Sequence, residues 1–327
     1  MDSSNSRIKG NGMKKILITG TAGFIFSNFI RKVINHPDYQ FVSIDKCVHS
    51  YNLNNLLTHN NHKFYLGDIG DMHFINNVFR LEKPDFVIHG AAESFVDDAI
   101  RNASNFTYSN VLGTQNIVDA CLTYNIEKMI YISTDEVYGH LTSSKGNPWT
   151  EEFFPRPRNP YSATKYAGEC IVYAAHETHG LTYNITRTCN NYGPRQTPRN
   201  LVPKIITCLI NDEPIPVHGD GSNIREWLYV DDNVDAIMKV LENGVANEIY
   251  NIGSGIELTN MEMINAISSI MGKKPIINHI KNRPGHDFRY SINCDKIKNI
   301  KWNSRHSFHD GISKTIAWYL SNKDTLK

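Results

Sequence analysis

Lys14-Lys15-Ile16-Leu17-Ile18-Thr19-Gly20-Thr21-Ala22-Gly23-Phe24-Ile25-Phe26 decides how the fold begins. Lys14 to Thr19 is a short apolar run closed by glycine, the pattern of a buried strand. From Gly23 to Val33 the apolar residues Phe24, Ile25, Phe29, Ile30 and Val33 recur with helical spacing. Glycine between strand and helix permits a tight turn and a close backbone approach to a pyrophosphate, which then sits at the helix N-terminus. The next apolar run, Phe41 to Ile44, ends in Asp45. A carboxylate there meets the hydroxyls of an adenosine ribose and repels a 2′-phosphate, which favours NAD over NADP. The spacing is G-x-x-G-x-x-F, with Phe26 where a third glycine usually allows close helix–strand packing. That ring requires a wider crossing or must point away.

The alternation continues outward. Lys63 to Leu66 reads as a third strand, followed by Gly67-Asp68, and Asp71 to Leu81 as a helix. Phe86 to His89 is a fourth strand, ending in Gly90-Ala91-Ala92. One long helix fits Phe106 to Tyr124, and Lys128 to Ser133 is a fifth strand. Asn159-Pro160 is an N-cap with proline at the first helical position, opening a helix to about His179. Tyr183 to Arg187 is a sixth strand. Strands and helices at this pace form a doubly wound parallel sheet. After Thr188 prolines and glycines crowd in, and a smaller α/β lobe is expected, with Glu248 to Ile252 able to rejoin the main sheet. The expected division is a flexible tail (1–12), a nucleotide-binding domain with the catalytic residues (13–188) and a mainly substrate-binding lobe (189–327).

Lys and Arg total 34 against 33 Asp and Glu, so the 327-residue chain offers neither nucleic acid nor a membrane an electrostatic hold. Six cysteines lie scattered without C-x-x-C spacing, as reduced thiols rather than metal ligands. Met1 to Gly12 lacks the apolar core of a signal peptide, and no run of ~18 apolar residues occurs. The expected compartment is the cytoplasm, where the sequons at Asn102, Asn105 and Asn184 go unused.

Thr134, Asp135 and Glu136 close the fifth strand, and the carboxyl ends of strands are where open α/β sheets gather their chemistry. Two adjacent carboxyl groups divide acid and base work if their environments split their pKa values. Tyr161 and Lys165 lie one helical turn apart, so the ammonium is expected to draw the phenol from ~10 towards neutrality and make it a base. Alone, each pattern is also an ordinary polar turn or helix surface. Together, behind the glycine loop, they describe a site for hydride and proton transfer.

The segments TGTAGFI (19–25), HGAAESFVDDAI (89–100), ISTDEVYG (132–139), NPYSATK (159–165), NNYGPRQ (190–196), HGDGSNIREWLYVDD (218–232), YNIG (250–253) and RPGHDFRY (283–290) resemble the extended short-chain dehydrogenase/reductases. Within them the match is to the nucleotide-sugar 4,6-dehydratases, with TDEVYG the discriminating segment. Phe26, Ile44-Asp45-Lys46 and Asn52-Leu53-Asn54-Asn55-Leu56 resemble the UDP-glucose branch of rhamnose synthesis. Phe95 and Phe288 depart from the pattern, where many relatives carry a histidine and a basic residue.

The resemblance implies a Rossmann-type fold, a homodimer built on the helices of 106–124 and 160–179, and a redox-neutral cycle on held NAD. The expected dimer face carries Ile171, Val172, Ala174 and Ala175. Tyr161, with Lys165 and Thr134, would deprotonate the sugar 4-hydroxyl as hydride leaves C4. Glu136 would take the C5 proton, Asp135 would protonate the departing 6-hydroxyl, and the hydride would return to C6. UDP-glucose comes first as the implied substrate and dTDP-glucose second. The implied cofactor contacts are Gly20, Ala22, Gly23, Phe24, Ile25, Asp45, Lys46, Asp68, Ile69, Ala91, Ala92, Tyr161, Lys165 and Asn191. The implied substrate contacts are Ser94, Thr134, Asn190, Asn200, Leu201, Pro216, Val217, His218, Arg225, Asn260, Arg283, Pro284, Gly285 and His286, with Arg225 as a fork for the diphosphate. An epimerase or decarboxylase of the same superfamily, or a non-catalytic NAD or sugar sensor, remains the alternative.

Overall fold

The computed structural model describes residues 12–48, 55–282 and 286–323. Most of the N-terminal tail, Asn52 to Asn54 and the implied substrate contacts Arg283, Pro284 and Gly285 lie outside the described residues.

The main sheet has seven parallel strands: β1 (Lys14–Thr19), β2 (Tyr39–Asp45), β3 (His62–Leu66), β4 (Phe86–His89), β5 (Lys128–Thr134), β6 (Tyr183–Thr188) and β10 (Glu248–Ile252). Their order is β10-β6-β5-β4-β1-β2-β3. The chain winds outward from β1 to β3, then crosses back to β4 on the other side of β1. The strand order therefore reverses between β1 and β4, where such sheets open a crevice at their carboxyl ends.

Strand residues alternate between two cores because side chains point to opposite faces in turn. Ile16, Ile18, Ile88, Ile130 and Ile132 pack on one face with Phe29, Ile30 and Val33 of α1 (Phe24–Val33) and Val234 and Ile237 of α8 (Val230–Asn243). Leu17, Val87, Met129 and Tyr131 pack on the other. Their partners there include Val78 and Phe79 of α2 (Met72–Glu82), Ile117 of α5 (Gly113–Thr123) and Val172 of α6 (Pro160–His179).

The expected helix over 106–124 is interrupted. The short helices α3 (Val96–Arg101) and α4 (Ala103–Phe106) lead into a π-helical stretch, Thr107–Leu112, before α5. Asn110, inside that stretch, is the residue that matters for the site. Its side-chain amide bonds Glu93 at both backbone groups (2.8 and 2.9 Å) and donates to Thr164 Oγ1 of α6 at 3.0 Å. Such bulges commonly mark functional positions.

The face offered for pairing also differs from expectation. Val172 and Ala175 are buried in the core, while Cys170, Tyr173 and Ala174 face outward.

Beyond β6 the chain adds β7 (Asn190–Tyr192), α7 (Leu201–Asn211), β8 (Ile215–His218) and β9 (Ile224–Tyr229). After β10 come β11 (Glu257–Thr259), α9 (Asn260–Met271), β12 (Ile277–Ile280), α10 (Asp295–Lys298) and α11 (Phe308–Ser321). A third core of Val202, Ile205, Leu209, Trp227, Ile264 and Ile316 holds this region together.

Candidate active site

A cavity of about 610 Å³ lies at the carboxyl ends of β1, β2, β4, β5 and β6, closed from the far side by α7, β8 and β9. Gly20, at the end of β1, has φ +86°, and a Cβ there would come within 2.9 Å of the backbone of Ala91. Only glycine fits that approach between β1 and the loop after β4. Helix α1 begins at Phe24, has no acidic residue in its first turn, and turns its N-terminus to the cavity, with Gly23, Phe24 and Ile25 on the wall. Asp45 stands at the end of β2. Its carboxylate accepts from the backbone N–H of Ala22 (2.9 Å) and Cys47 (2.7 Å), and burial raises its pKa. A glycine cradle, an open helix N-terminus and a carboxylate at the end of β2 suit a dinucleotide.

Phe26 is accommodated by a second small residue. Its ring lies over Gly90, where a Cβ would fall 2.0 Å from a ring carbon. The bulk missing at the end of β4 makes room for the ring at α1, and Phe26 stays buried.

Lys46 reaches across this end of the cavity to Glu93 (2.9 Å) and Ser109 (3.1 Å), with Asp68 at 3.8 Å. Ile69, Ala91, Ala92 and Asn191 also line the cavity; Ala22 and Asp68 stand behind the wall.

The strand expected to end at Ser133 runs one residue further, and Asp135–Tyr138 coils into a 3₁₀ turn. This turn sets the two carboxyl groups in different surroundings. Asp135 is 2% exposed, and its Oδ2 has no hydrogen-bond partner. Burial and the charges of Glu136 and Glu226 push its pKa well above the usual carboxylate range, while Arg225 pulls against them. Glu136 is half-buried and accepts from Asn159 Nδ2 at 2.9 Å. Asn159 thus does two jobs: its Oδ1 caps α6 at Ser162 N (2.9 Å) and its amide holds Glu136.

Tyr161 and Lys165 occupy the first turns of α6, and both line the cavity. Their electrostatics depart from expectation. Burial and the nearby Glu136 and Asp135 charges raise the Tyr161 phenol, which Thr134 alone offsets. Lys165 is the group that moves towards neutrality: burial brings it down to about 7, against the pull of Glu169. Its Nζ lies 4.4 Å from the centre of the Tyr131 ring.

On the far wall, Ser94, Asn190, Asn200, Leu201, Pro216, His218, Asn260 and His286 line the cavity. Val217 does not; it is buried in the third core. Arg225 lines the cavity, but its fork is already engaged. Nη1 donates to Ile224 O (2.7 Å), Nη2 to Asp287 O (3.0 Å), and the guanidinium stacks 4.3 Å from the Tyr290 ring centre. Phe95 carries the Arg199 guanidinium over its ring at 3.8 Å. Phe288 stays off the cavity wall and accepts from Ile224 N through its backbone. Lys204, Gln196, Trp227 and Glu93 line the cavity without having been expected there. Lys204 sits one turn into α7, three residues after Leu201 on the helix that Asn200 precedes.

The NAD dependent epimerase/dehydratase family matches residues 16–253. The low-salt glycan biosynthesis protein Agl12 of Haloferax volcanii is 43% identical over 313 residues, covering 94% of this chain and 99% of that protein. The dTDP-glucose 4,6-dehydratase of Haemophilus influenzae is 38% identical over 338 residues, covering 96% and 100%. The crystal structure of DesIV, a dTDP-glucose 4,6-dehydratase from Streptomyces venezuelae with NAD and TYD bound, superposes with a TM-score of 0.90 at 37% identity, covering 95% of this chain and 98% of that one. The chain therefore belongs to the NAD dependent epimerase/dehydratase family, on its 4,6-dehydratase side, with NAD as its cofactor.

Proposed function

We propose that the enzyme, a hydro-lyase, removes water across C5 and C6 of a nucleoside-diphosphate glucose and yields the 4-keto-6-deoxy sugar. One observation carries this reading. Asp135 is buried and unpartnered at Oδ2, with its pKa raised by burial and by the neighbouring carboxylates, directly beside the more open Glu136. An epimerase needs no acid for a departing 6-hydroxyl; this site holds one. Tyr161 takes the 4-hydroxyl proton, Glu136 the C5 proton, and Asp135 gives its proton to the leaving oxygen at C6. NAD, when bound along Gly20, Gly23 and Asp45, supplies the hydride acceptor and donor. The C5 proton and the hydride are both returned, so only water is lost.

UDP-glucose and dTDP-glucose are both substrates to test. The expectation that uridine comes first draws no support from relatives such as the Haemophilus and Streptomyces enzymes, whose names carry dTDP-glucose. In this proposal residues 13–188 hold NAD and the catalytic groups and residues 189–327 mainly hold the substrate, with β10 a segment of the latter that returns to the main sheet. We place the enzyme in the cytoplasm as a homodimer joined through the outward residues of α6 and the π-helical stretch, Tyr173, Tyr108 and Leu112. No helix among the described residues is long and apolar enough to cross a membrane.

Incubation with each nucleotide sugar, followed by mass spectrometry, tests the reading. The product should be lighter by one water, with no net NADH. Accumulating NADH beside an oxidised, undehydrated sugar would contradict it.

A further inference from the structure

Helix α6 is fastened to the strand that leads into Thr134–Glu136 at two buried points: the Tyr131 hydroxyl donates to Lys165 O at 3.1 Å, and a second link forms at Glu169. Glu169 lies one turn beyond Lys165 and is 3% exposed. Beneath it, Ser133 of β5 and Arg187 of β6 face each other in register, so both side chains rise from the sheet on the same side. Ser133 Oγ donates to Glu169 Oε1 at 2.5 Å, and Arg187 grips both oxygens of Glu169, Nε at 3.1 Å and Nη2 at 2.6 Å. The Arg187 guanidinium lies 4.6 Å from the ring centre of Tyr138, the last residue of the Asp135–Tyr138 turn. Next to Glu169, Gly168 lets the helix press onto the sheet; a Cβ there would come 2.1 Å from the Tyr131 hydroxyl.

A buried ion pair is a poor way to gain stability, because desolvation takes back most of the attraction. This one lies where two catalytic elements must keep a fixed distance. We propose, on the dehydratase reading above, that Glu169 is a positioning residue: with Ser133 and Arg187 it seats the Tyr161–Lys165 helix against the Thr134–Glu136 turn, and it sets a carboxylate one helical turn from the Lys165 ammonium, where it favours the cation.

The groups around Lys165 support this. Tyr131 of β5 offers a ring face, and His89 of β4 is fully buried, its pKa lowered to about 3 by burial and by Lys165 itself. On its own helix lie Tyr161, whose phenol is raised, and Glu169. Glu169 is thus the negative group acting on Lys165 among the described residues. A neutral Lys165 would leave the Tyr161 phenolate with no cation to stabilise it, and the first proton abstraction would slow.

The test reads Lys165 directly. In protein labelled with ¹⁵N at lysine Nζ, the Lys165 resonance, assigned with Lys165→Arg, should titrate near 7. In Glu169→Gln its midpoint should move to lower pH, and in Glu169→Asp it should return. The NADH transient in single turnover should then fall most at alkaline pH, about tenfold for each unit the midpoint moves, and meet the native rate at acid pH. If Glu169→Gln does not fold, Glu169→Gln/Arg187→Met avoids leaving the guanidinium unpaired and should shift the midpoint in the same direction by less, because losing the more distant cation favours protonated Lys165. An unmoved midpoint in the soluble variant, or a rate loss equal at every pH, would overturn the proposal. The titration needs no turnover, so its failure is separate from a failure to dehydrate any sugar.

Discussion

The two walls of the cavity are built differently. The wall of β5 and α6 sets its chemistry on a strand end and one turn of helix, so Thr134, Asp135, Glu136, Tyr161 and Lys165 all reach the cavity. The wall of β8, β9 and the segment after β12 sets its residues on short strands and loops. There Val217 turns into the core, Arg225 spends its donors on backbone carbonyls, and Arg283 to Gly285 lie outside the described residues. A helix or long strand carries its own register, so spacing in sequence becomes spacing in space. A loop borrows its register from whatever it packs against.

The largest effects should come from the first wall, and they should differ in kind. Loss of a general acid or base typically costs ~10²–10⁴ in rate. Tyr161→Phe should suppress the first hydride transfer, so no NADH transient forms. Asp135→Asn should leave C4 oxidation intact and slow water loss, so bound NADH builds up. Glu136→Gln should block exchange of the C5 hydrogen with solvent deuterium. A shared pattern in all three variants would show that the strand-end turn acts as one unit and not as a split acid and base.

Arg225 is the sharpest probe of the second wall. It is 9% exposed and holds the carbonyls of Ile224 and Asp287, which brackets the loop that continues to His286. Arg225→Ala should therefore raise KM and lower Tm together, because charged donors to buried carbonyls contribute roughly 1.5–3 kcal/mol. Arg225→Lys should recover little of either, since a point charge cannot span two carbonyls and stack on Tyr290. A raised KM with an unchanged Tm would mean that the fork serves the diphosphate alone, as its motif suggests.

The same contrast explains what could be read in advance. Helix α6 runs from Pro160 to His179 as expected because its signals are local: Asn159 caps it, proline opens it and Gly180 ends it at φ +74°. Strand β4 is bounded as cleanly, by a glycine and by its own apolar run. The break in the helix over 106–124 was hidden, because Asn110 bonds Glu93 and Thr164 from distant parts of the chain. The second role of Asn159 was hidden for the same reason: a cap is a local fact, whereas the bond to Glu136 is a tertiary one. Phe26 depends likewise on a distant partner, Gly90, beneath its ring.

The smallest effect concerns the stability cost of the catalytic wall. Asp135 is buried beside Glu136 and Glu226 with one oxygen unpartnered, an arrangement that suits an acid and strains the fold once it ionises. Its folded pKa lies above the ordinary value of 3.8. Its contribution is therefore fully present below that value and is lost as pH rises through the folded pKa, at about 1.4 kcal/mol for each unit between the two. Asparagine keeps the shape and cannot ionise. Asp135→Asn should therefore match the native Tm near pH 4 and exceed it at pH 8, even as it loses activity. Arg225→Ala should show no such crossover, because its lost bonds do not titrate in this range. A Tm difference for Asp135→Asn that stays constant with pH would mean that Asp135 ionises as readily in the folded enzyme as in the unfolded chain, and that the wall does not hold it as an acid.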